Sequence, residues 1–257
     1  MKRLAVVVNE RCNISCSYCF NTTHDAVVQR RSEHRGLRPG AIHQVTDALR
    51  DLSYDSVTLT GGEPTVSPRG AIWIDALADA DITTILISNM VYLPAHLEAK
   101  IAAHNGIVVR VSMGGGSAET HNAERDKFEE TATNLRKLAA RGVRCEVTMV
   151  ITPSNLDKIP EFEQFCDDIG VIGHVVPVSG VLGDILAAMP ESAWEDVVSD
   201  LRTPRLQHNV LKAHAYMTGV AAPTGCPLRT QSHVLPQDGD LDGCFFREDV
   251  ALGNVAR

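Results

Sequence analysis

Apolar residues along the chain fall into short runs, which alternate with longer segments in which apolar positions recur every three or four residues. The short runs are rich in Val, Ile and Thr, a composition typical of strands buried in a parallel sheet. These predicted strands span 4–9, 56–61, 83–89, 106–113, 145–152 and 173–179. The longer periodic segments predict helices at 38–52, 67–80, 94–104, 124–141 and 157–169.

Six strands joined by helices predict a parallel sheet with right-handed crossovers. The number of units suits a partial (β/α)6 TIM barrel, three-quarters of the full barrel, which places function at the carboxyl ends of the strands. A flat doubly wound sheet is the alternative, and the strand count does not separate the two folds.

The pattern changes after about residue 180. Two further helices are expected at 190–202 and 205–218, followed by a tail rich in Pro and Gly with few apolar runs. We therefore expect three parts, which are a barrel core at 1–185, a helical connection at 186–222 and a small extension at 223–257.

Composition and charge narrow the class of protein. The chain has 257 residues, 44% hydrophobic and 22% charged, which is ordinary for a soluble globular protein. No apolar run approaches the roughly 20 residues of a membrane-spanning helix, and the N-terminus is short for a signal peptide. We therefore expect a cytoplasmic protein without a membrane partner, and the net charge of −8 disfavours nucleic acid as a partner.

The cysteines are unevenly placed. Three fall within eight residues near the start of the chain and two lie near its end, while two stand alone in the middle. In the same order they are Cys12, Cys16 and Cys19; Cys226 and Cys244; Cys145 and Cys166. A reducing compartment disfavours disulfides, so the two groups require a metal or catalytic explanation.

The first group has the spacing C-x3-C-x2-C, from Cys12 through Cys16 to Cys19. Three thiolates on one tight loop can hold three irons of a [4Fe–4S] cluster and leave the fourth iron open. Structural zinc is the alternative, but it needs four protein ligands, usually as two separated pairs, and the sequence has no second C-x2-C or H-x3-H motif.

Together with a second motif, this spacing resembles the radical S-adenosylmethionine (SAM) superfamily. The cysteine motif follows the first strand, and Thr60-Gly61-Gly62-Glu63-Pro64 follows the second. The resemblance covers roughly residues 4–179 and implies that SAM chelates the open iron. It also implies reductive cleavage of SAM to a 5′-deoxyadenosyl radical that takes a hydrogen atom from the substrate, with an electron from a partner such as flavodoxin or ferredoxin.

The resemblance also implies the residues of the SAM site. Backbone without side chains at Gly61 and Gly62 would let SAM approach closely, and Glu63 would accept from its ammonium group. A plain strand-to-helix turn is the other interpretation of the two glycines. Tyr18, which precedes the third cysteine, is expected either near the adenine or in the core.

Further SAM contacts are expected after the third and fourth strands. Ser88 and Asn89 stand where the family often uses a polar pair on the SAM ribose. Ser112 and Arg125 resemble the family's S-x-D-G…H-x3-R stretch, which implies contacts to the SAM carboxylate or ribose. The chain departs from that stretch at Gly114, where an Asp is usual. A solvated arginine at a helix start is the alternative for Arg125.

The tail resembles the start of the SPASM/twitch extension, which carries an auxiliary [4Fe–4S] cluster in a subset of the superfamily. The pattern C-x12-G-x4-C joins Cys226 to Cys244, with a hairpin expected around Gly239. Two cysteines are too few for a cubane, so three alternatives stay open: other ligands, missing residues on a longer native chain, or a remnant without iron. The nearby candidate ligands are His233, Asp238, Asp240 and Asp242.

The substrate class depends on one weaker observation. The first strand begins at about Leu4, which leaves no room for an N-terminal leader-binding domain and favours a small polar substrate such as an aminosugar, aminocyclitol or nucleoside, with oxidation or epimerisation as the reaction. A peptide substrate is the alternative, and a non-catalytic iron–sulfur carrier or regulator is the rival class. Cys145 is a candidate hydrogen donor for an epimerase, or else a small buried hydrophobe.

Overall fold

The computed structural model describes residues 2–19, 37, 39–220, 232–235, 240–242 and 251–254. Its strands form one sheet, in the order β6-β5-β4-β3-β2-β1-β7-β8-β9. The strands are β1 Arg3–Val7, β2 Ser56–Thr60, β3 Thr84–Ser88, β4 Ile107–Met113, β5 Arg144–Ile151, β6 Ile172–Pro177, β7 Ser232–Leu235, β8 Asp240–Asp242 and β9 Ala251–Asn254.

Helices connect the six parallel strands β1 to β6 in sequence order. The described helices are α1 Pro39–Asp51, α2 Pro68–Asp79, α3 Ala95–Ala103, α4 Ala118–Glu124, α5 Phe128–Ala140, α6 Ile159–Ile169, α7 Val181–Ala187, α8 Glu191–Asp200 and α9 Pro204–Met217. Because every neighbouring pair among these six strands is parallel and in consecutive order, the fold is the predicted partial (β/α)6 barrel.

Two helical segments differ from the sequence prediction. The expected helix at 124–141 begins later, as α5 at Phe128, after Lys127 in the left-handed conformation at φ 73°, and the short helix α4 before it was not predicted. An L-residue in that conformation cannot continue a helix. Helix α7 was not predicted, since its seven residues are too short to establish a helical period.

The two faces of the sheet have different surroundings. On one face, alternate residues such as Val109, Val147 and Met149 are fully buried in a single core cluster, which also contains Leu135 and Leu138 of α5. The other face lies in the interior of the partial barrel and is partly exposed at Arg110 and Ser112 of β4 and at Thr148 and Val150 of β5. Side chains alternate between faces along a strand, so a residue's register decides whether it reaches the interior.

The tail is joined to the barrel sheet. Strand β7 pairs in parallel with β1, with Ala5 opposite Val234. Strand β8 runs antiparallel to β7, with Val234 opposite Asp242, and the expected turn at Gly239 lies outside the described residues. Within the described residues, no helix has the length and apolar character needed to cross a membrane.

Candidate active site

The three cysteines of the first motif lie on the loop that follows β1. The side chain of Cys12 is exposed, and those of Cys16 and Cys19 are partly buried. The amide of Cys19 donates to the carbonyl of Cys16 at 3.2 Å, which closes a tight turn between them. Burial raises the pKa of the Cys16 thiol to about 11, against the opposing charge of Arg125, and the other two thiols raise it further.

This donor set fits an iron–sulfur cluster. Thiolates on one loop are the ligands that such clusters use, and each of the three would bind a different iron. A basic side chain, Arg125, stands beside them, and its Nε atom is buried without a hydrogen-bond partner in the structure. Across the described ranges, no three His, Cys, Asp or Glu side chains are grouped as ligands of a single metal ion.

The glycine motif after β2 packs directly against this loop. The amide of Gly62 donates to the carbonyl of Asn9 at 2.9 Å, and the amide of Glu63 donates to the carbonyl of Arg11 at 2.8 Å. A Cβ on Gly62 would lie 2.2 Å from the Arg11 carbonyl oxygen, and one on Gly61, at φ 137°, would lie 2.3 Å from that of Asn9. A side chain at either glycine would therefore collide with the backbone that leads into Cys12.

The Glu63 carboxylate is buried between the ends of β2 and β3 and is 1% exposed. Its Oε1 accepts from the amide and hydroxyl of Thr65 at 3.0 and 2.8 Å and from the hydroxyl of Ser88 at 2.7 Å, while its Oε2 accepts from the amide of Asn89 at 2.7 Å. Burial raises the pKa of Glu63, and these hydrogen bonds oppose the rise. The carboxylate thus ties the end of β2 to the end of β3.

Ser88 and Asn89 are both engaged within the protein. The Ser88 hydroxyl bonds Glu63 and accepts from the amide of Met90 at 2.9 Å. The side-chain amide of Asn89 donates to Asn13 Oδ1 at 2.8 Å and to the sulfur of Cys12 at 3.5 Å. The structure therefore places Asn89 against the cysteine loop, and the contact of this pair with ribose stays a prediction.

Arg125 and Tyr18 lie together beside the cysteines. Arg125 Nη1 donates to the Tyr18 hydroxyl at 3.3 Å, and the backbones of Arg125 and Cys16 form an antiparallel bridge. Burial raises the pKa of Tyr18, although the Arg125 charge opposes it. Both residues thus border the cysteine loop, and Arg125 is not the solvated arginine of the alternative interpretation.

Ser112 lies in a row of polar residues on the interior face of the barrel. Strand register places Ser112 opposite Thr148 of β5, and Thr148 opposite His174 of β6. His174 Nε2 lies 3.5 Å from Glu146 Oε2, whose carboxylate also accepts from Arg110 at 2.6 Å. Burial lowers the pKa of His174, the nearby Arg110 lowers it further, and Glu146 opposes the shift.

Cys145 is separated from this row. It pairs in register with Val109, so its side chain lies on the helix-covered face, within the core cluster and 7% exposed. Burial raises the pKa of its thiol to about 11. Because Thr148 points into the barrel and Cys145 points away from it, the structure supports the small buried hydrophobe and gives Cys145 no access to the interior as a hydrogen donor.

The predicted auxiliary site lies mostly outside the described residues. Neither Cys226 nor Cys244 is described, and the same holds for Asp238. The backbone places His233 on β7, and Asp240 and Asp242 at the two ends of β8. The auxiliary cluster therefore stays a prediction.

Several residues of the site were missed by the sequence argument. Glu124 contacts the cysteine loop through Ser17, and Asn155 donates to the carbonyl of Gly114 at 3.1 Å. Thr148 and His174 complete the polar row. Asn155 lies beyond the end of β5 and follows the rule that identified residues after the first four strands. Thr148 and His174 lie within β5 and β6, where the only signal in the sequence was a polar residue inside an apolar strand.

Comparison with known proteins agrees with this geometry. The family model described as "Radical SAM superfamily" matches residues 6–166. The mycofactocin maturase MftC of Mycolicibacterium smegmatis is 27% identical over 156 residues, which are 59% of this chain and 38% of that protein. The chain spans at most half of the length of the mycofactocin maturases that it matches.

Two further matches cover nearly the whole chain. The probable GTP 3′,8-cyclase of Metallosphaera sedula is 22% identical over 275 aligned residues, which are 98% of this chain and 83% of that protein. The crystal structure of Streptococcus suis SuiB bound to precursor peptide SuiA superposes with a TM-score of 0.75 at 14% identity, over 99% of this chain and 62% of that one. The second match supports the fold alone.

The cysteine loop and the glycine motif thus lie within the segment that the family model matches, which covers the barrel from β1 into α6. The predicted cofactors, a [4Fe–4S] cluster and SAM, are those of this family. Because the match covers more than half of the residues, the chain belongs to the radical SAM superfamily.

Proposed function

We propose that the chain is a radical SAM maturase that modifies a peptide. The observation that carries this proposal is its similarity to the mycofactocin maturases, which adds to the fold that it shares with SuiB bound to its precursor peptide. This was the alternative in the sequence argument. The preference for a small polar substrate relied on where the chain begins, which says nothing about a leader-binding domain.

Each site residue has a role in this proposal. Cys12, Cys16 and Cys19 hold the cluster, which when bound delivers the electron that cleaves SAM and so produces the hydrogen-abstracting radical. Arg125, whose Nε is buried without a partner, binds the SAM carboxylate, and Tyr18 orients its guanidinium. A flavodoxin or ferredoxin is the proposed reductant.

The glycine motif and the end of β3 hold these groups in place. The hydrogen bonds of Gly62 and Glu63 fix the chain before Cys12, while Asn89 contacts Cys12 itself. The backbone of Gly61 and Gly62 borders SAM in this proposal, and the Glu63 carboxylate maintains the wall behind it.

The substrate occupies the interior of the barrel, against Ser112, Thr148 and His174. A row of hydroxyl and imidazole groups suits the amides and polar side chains of a peptide, since each can donate or accept hydrogen bonds. Burial keeps His174 neutral at pH 7, because its pKa is lowered from an ordinary value of 6.5. The residues after 222 form a SPASM/twitch-like extension in a cytoplasmic enzyme.

A nucleotide is the second candidate substrate. The observation that favours it is the similarity to a probable GTP 3′,8-cyclase, which extends over 98% of this chain. Both candidates predict substrate-dependent formation of 5′-deoxyadenosine from SAM, but with different substrates.

One experiment separates the candidates. The reconstituted protein is incubated with SAM and a reductant, together with either the short peptides encoded beside its gene or GTP. A peptide whose mass changes, with 5′-deoxyadenosine formed above the substrate-free rate, supports the maturase. A product derived from GTP, with every peptide unchanged, would overturn it. Thr148→Val and His174→Phe should abolish the substrate-dependent rise, whereas Glu119→Gln on the surface of α4 is the control.

A further inference from the structure

The carboxylate of Glu124 accepts hydrogen bonds from three hydroxyl groups, which belong to two segments that are distant in the sequence. Oε2 accepts from the hydroxyl of Ser17, and Oε1 accepts from Thr152 Oγ1 at 2.8 Å and from the hydroxyl of Ser154. Glu124 is 8% exposed. A buried carboxylate requires such donors, and here they come from both sides of the site.

One side is the cysteine loop itself. Ser17 lies between Cys16 and Cys19, and its amide also donates to the Glu124 carbonyl at 3.1 Å. The backbone bridge between Cys16 and Arg125 adjoins this contact. The loop is therefore joined to the end of α4 by both backbone and side chain.

The other side is the turn that follows β5. Thr152 is 1% exposed, and its hydroxyl is 2.8 Å from that of Ser154. Asn155 Oδ1 accepts from the amide of Thr152 at 2.7 Å, and its amide group donates to the Gly114 carbonyl at the end of β4. The turn is thus held rigidly against the barrel.

The position of Glu124 on its helix requires an explanation. It is the last residue of α4, where the partial negative charge of the helix disfavours a carboxylate. Helix stability therefore does not account for an acidic residue at this position, while the three hydroxyl contacts do.

We propose that Glu124 is a positioning residue, which holds the Cys16–Cys19 half of the loop against the carboxyl end of β5 and keeps Arg125 beside it. The inference rests on the proposed role of the three cysteines as cluster ligands. Loss of the carboxylate would free the loop to move, so the cluster would be released more readily and its environment would change.

The test compares Glu124→Gln with Glu119→Gln, an exposed acidic residue on the same helix. Each protein is reconstituted with iron and sulfide without oxygen, and loss of iron to a ferrous chelator is timed. Glu124→Gln should lose iron about tenfold faster than the wild type, since hydrogen bonds to a charged group are stronger than neutral ones. Its reduced EPR spectrum should shift, while Glu119→Gln should match the wild type in both measurements.

Ser17→Ala is the second variant, and it keeps the test decisive if Glu124→Gln fails to fold. Ser17 is an exposed loop residue, so the iron-free Ser17→Ala protein should still fold, with at most a small drop in melting temperature from the one lost donor to Glu124. Iron release should still accelerate, and combining the two changes should add little, because both remove the same contact. The proposal would be overturned if both variants released iron at the wild-type rate and gave the wild-type EPR spectrum. If Glu124→Gln does not fold, the same result for Ser17→Ala alone would overturn it. Failure of the wild type to take up iron would instead refute the proposed function.

Discussion

Replacement of Gly62 by alanine should weaken the cysteine loop as well as the turn in which the glycine lies. The new Cβ would lie 2.2 Å from the carbonyl oxygen of Arg11 and 2.7 Å from the carbonyl carbon of Glu10. Ordinary contact distances are about 3.5 Å, so the two segments must separate by about 1 Å. Those neighbours are backbone atoms, which cannot rotate away as a side chain could. Because Arg11 directly precedes Cys12, the separation would move the cysteine loop.

The cost follows from the contacts that would be stretched. Two hydrogen bonds join the segments, from Gly62 to Asn9 and from Glu63 to Arg11, and each contributes about 1 kcal/mol. Overpacking of a close contact adds about 1–3 kcal/mol. We expect Gly62→Ala to lower the free energy of unfolding by about 3–5 kcal/mol and to reduce the iron bound per chain.

Urea unfolding of the iron-free protein and iron analysis after reconstitution measure the two effects. Gly106→Ala is the matched control, since a Cβ there meets no atom within 4 Å. From the sequence, Gly62 was expected to face SAM, in which case a side chain would lower SAM affinity and leave iron binding unchanged. That result, with stability equal to the control, would refute the structural reasoning.

Three other changes have defined outcomes. Glu146→Gln should lower the free energy of unfolding by about 2 kcal/mol at pH 7. Burial raises the pKa of Glu146, but its hydrogen bond to Arg110 and the charges of Arg110, His174 and Arg144 together lower it below 4.5. The difference from wild type in urea unfolding should therefore shrink as pH falls below 4.5. A loss that is constant with pH would contradict it. Glu163→Ala should lower the free energy of unfolding by about 2 kcal/mol in the same assay, because its buried carboxylate accepts hydrogen bonds from Arg202 and Thr203, just before α9. Glu161→Ala, at an exposed position, should lower it little, and equal losses in the two variants would contradict this prediction. Cys145→Ala should leave the rate of product formation from the substrate at the wild-type value, and loss of product with SAM cleavage retained would support Cys145 as a hydrogen donor.

The sequence was sufficient to predict the architecture of the barrel and the position of the cysteine loop after its first strand. Hydrophobic runs report burial directly, so the six parallel strands were predicted within a few residues of their observed ends. The contacts of Glu124 were not predictable in the same way, because they join residues far apart in the chain. The face on which Cys145 lies required the register of β5 against β4, which no periodicity within one strand supplies.

The breaks between elements were also difficult to predict. Helix α4 ends at Glu124, and α5 begins after Lys127, whose left-handed conformation is uncommon for a residue other than glycine. Strand β7 is too short to carry a pattern of its own, so its pairing with β1 appears only in three dimensions.

The central claim is that Cys12, Cys16 and Cys19 hold the cluster that cleaves SAM. Its most direct test is formation of 5′-deoxyadenosine by the reduced, reconstituted protein in which all three are changed to alanine. The control is the Cys145→Ala, Cys166→Ala double variant, which removes the two described cysteines outside the loop. We predict no 5′-deoxyadenosine from the triple variant and wild-type formation from the control. SAM cleavage by the triple variant at the wild-type rate would contradict the account.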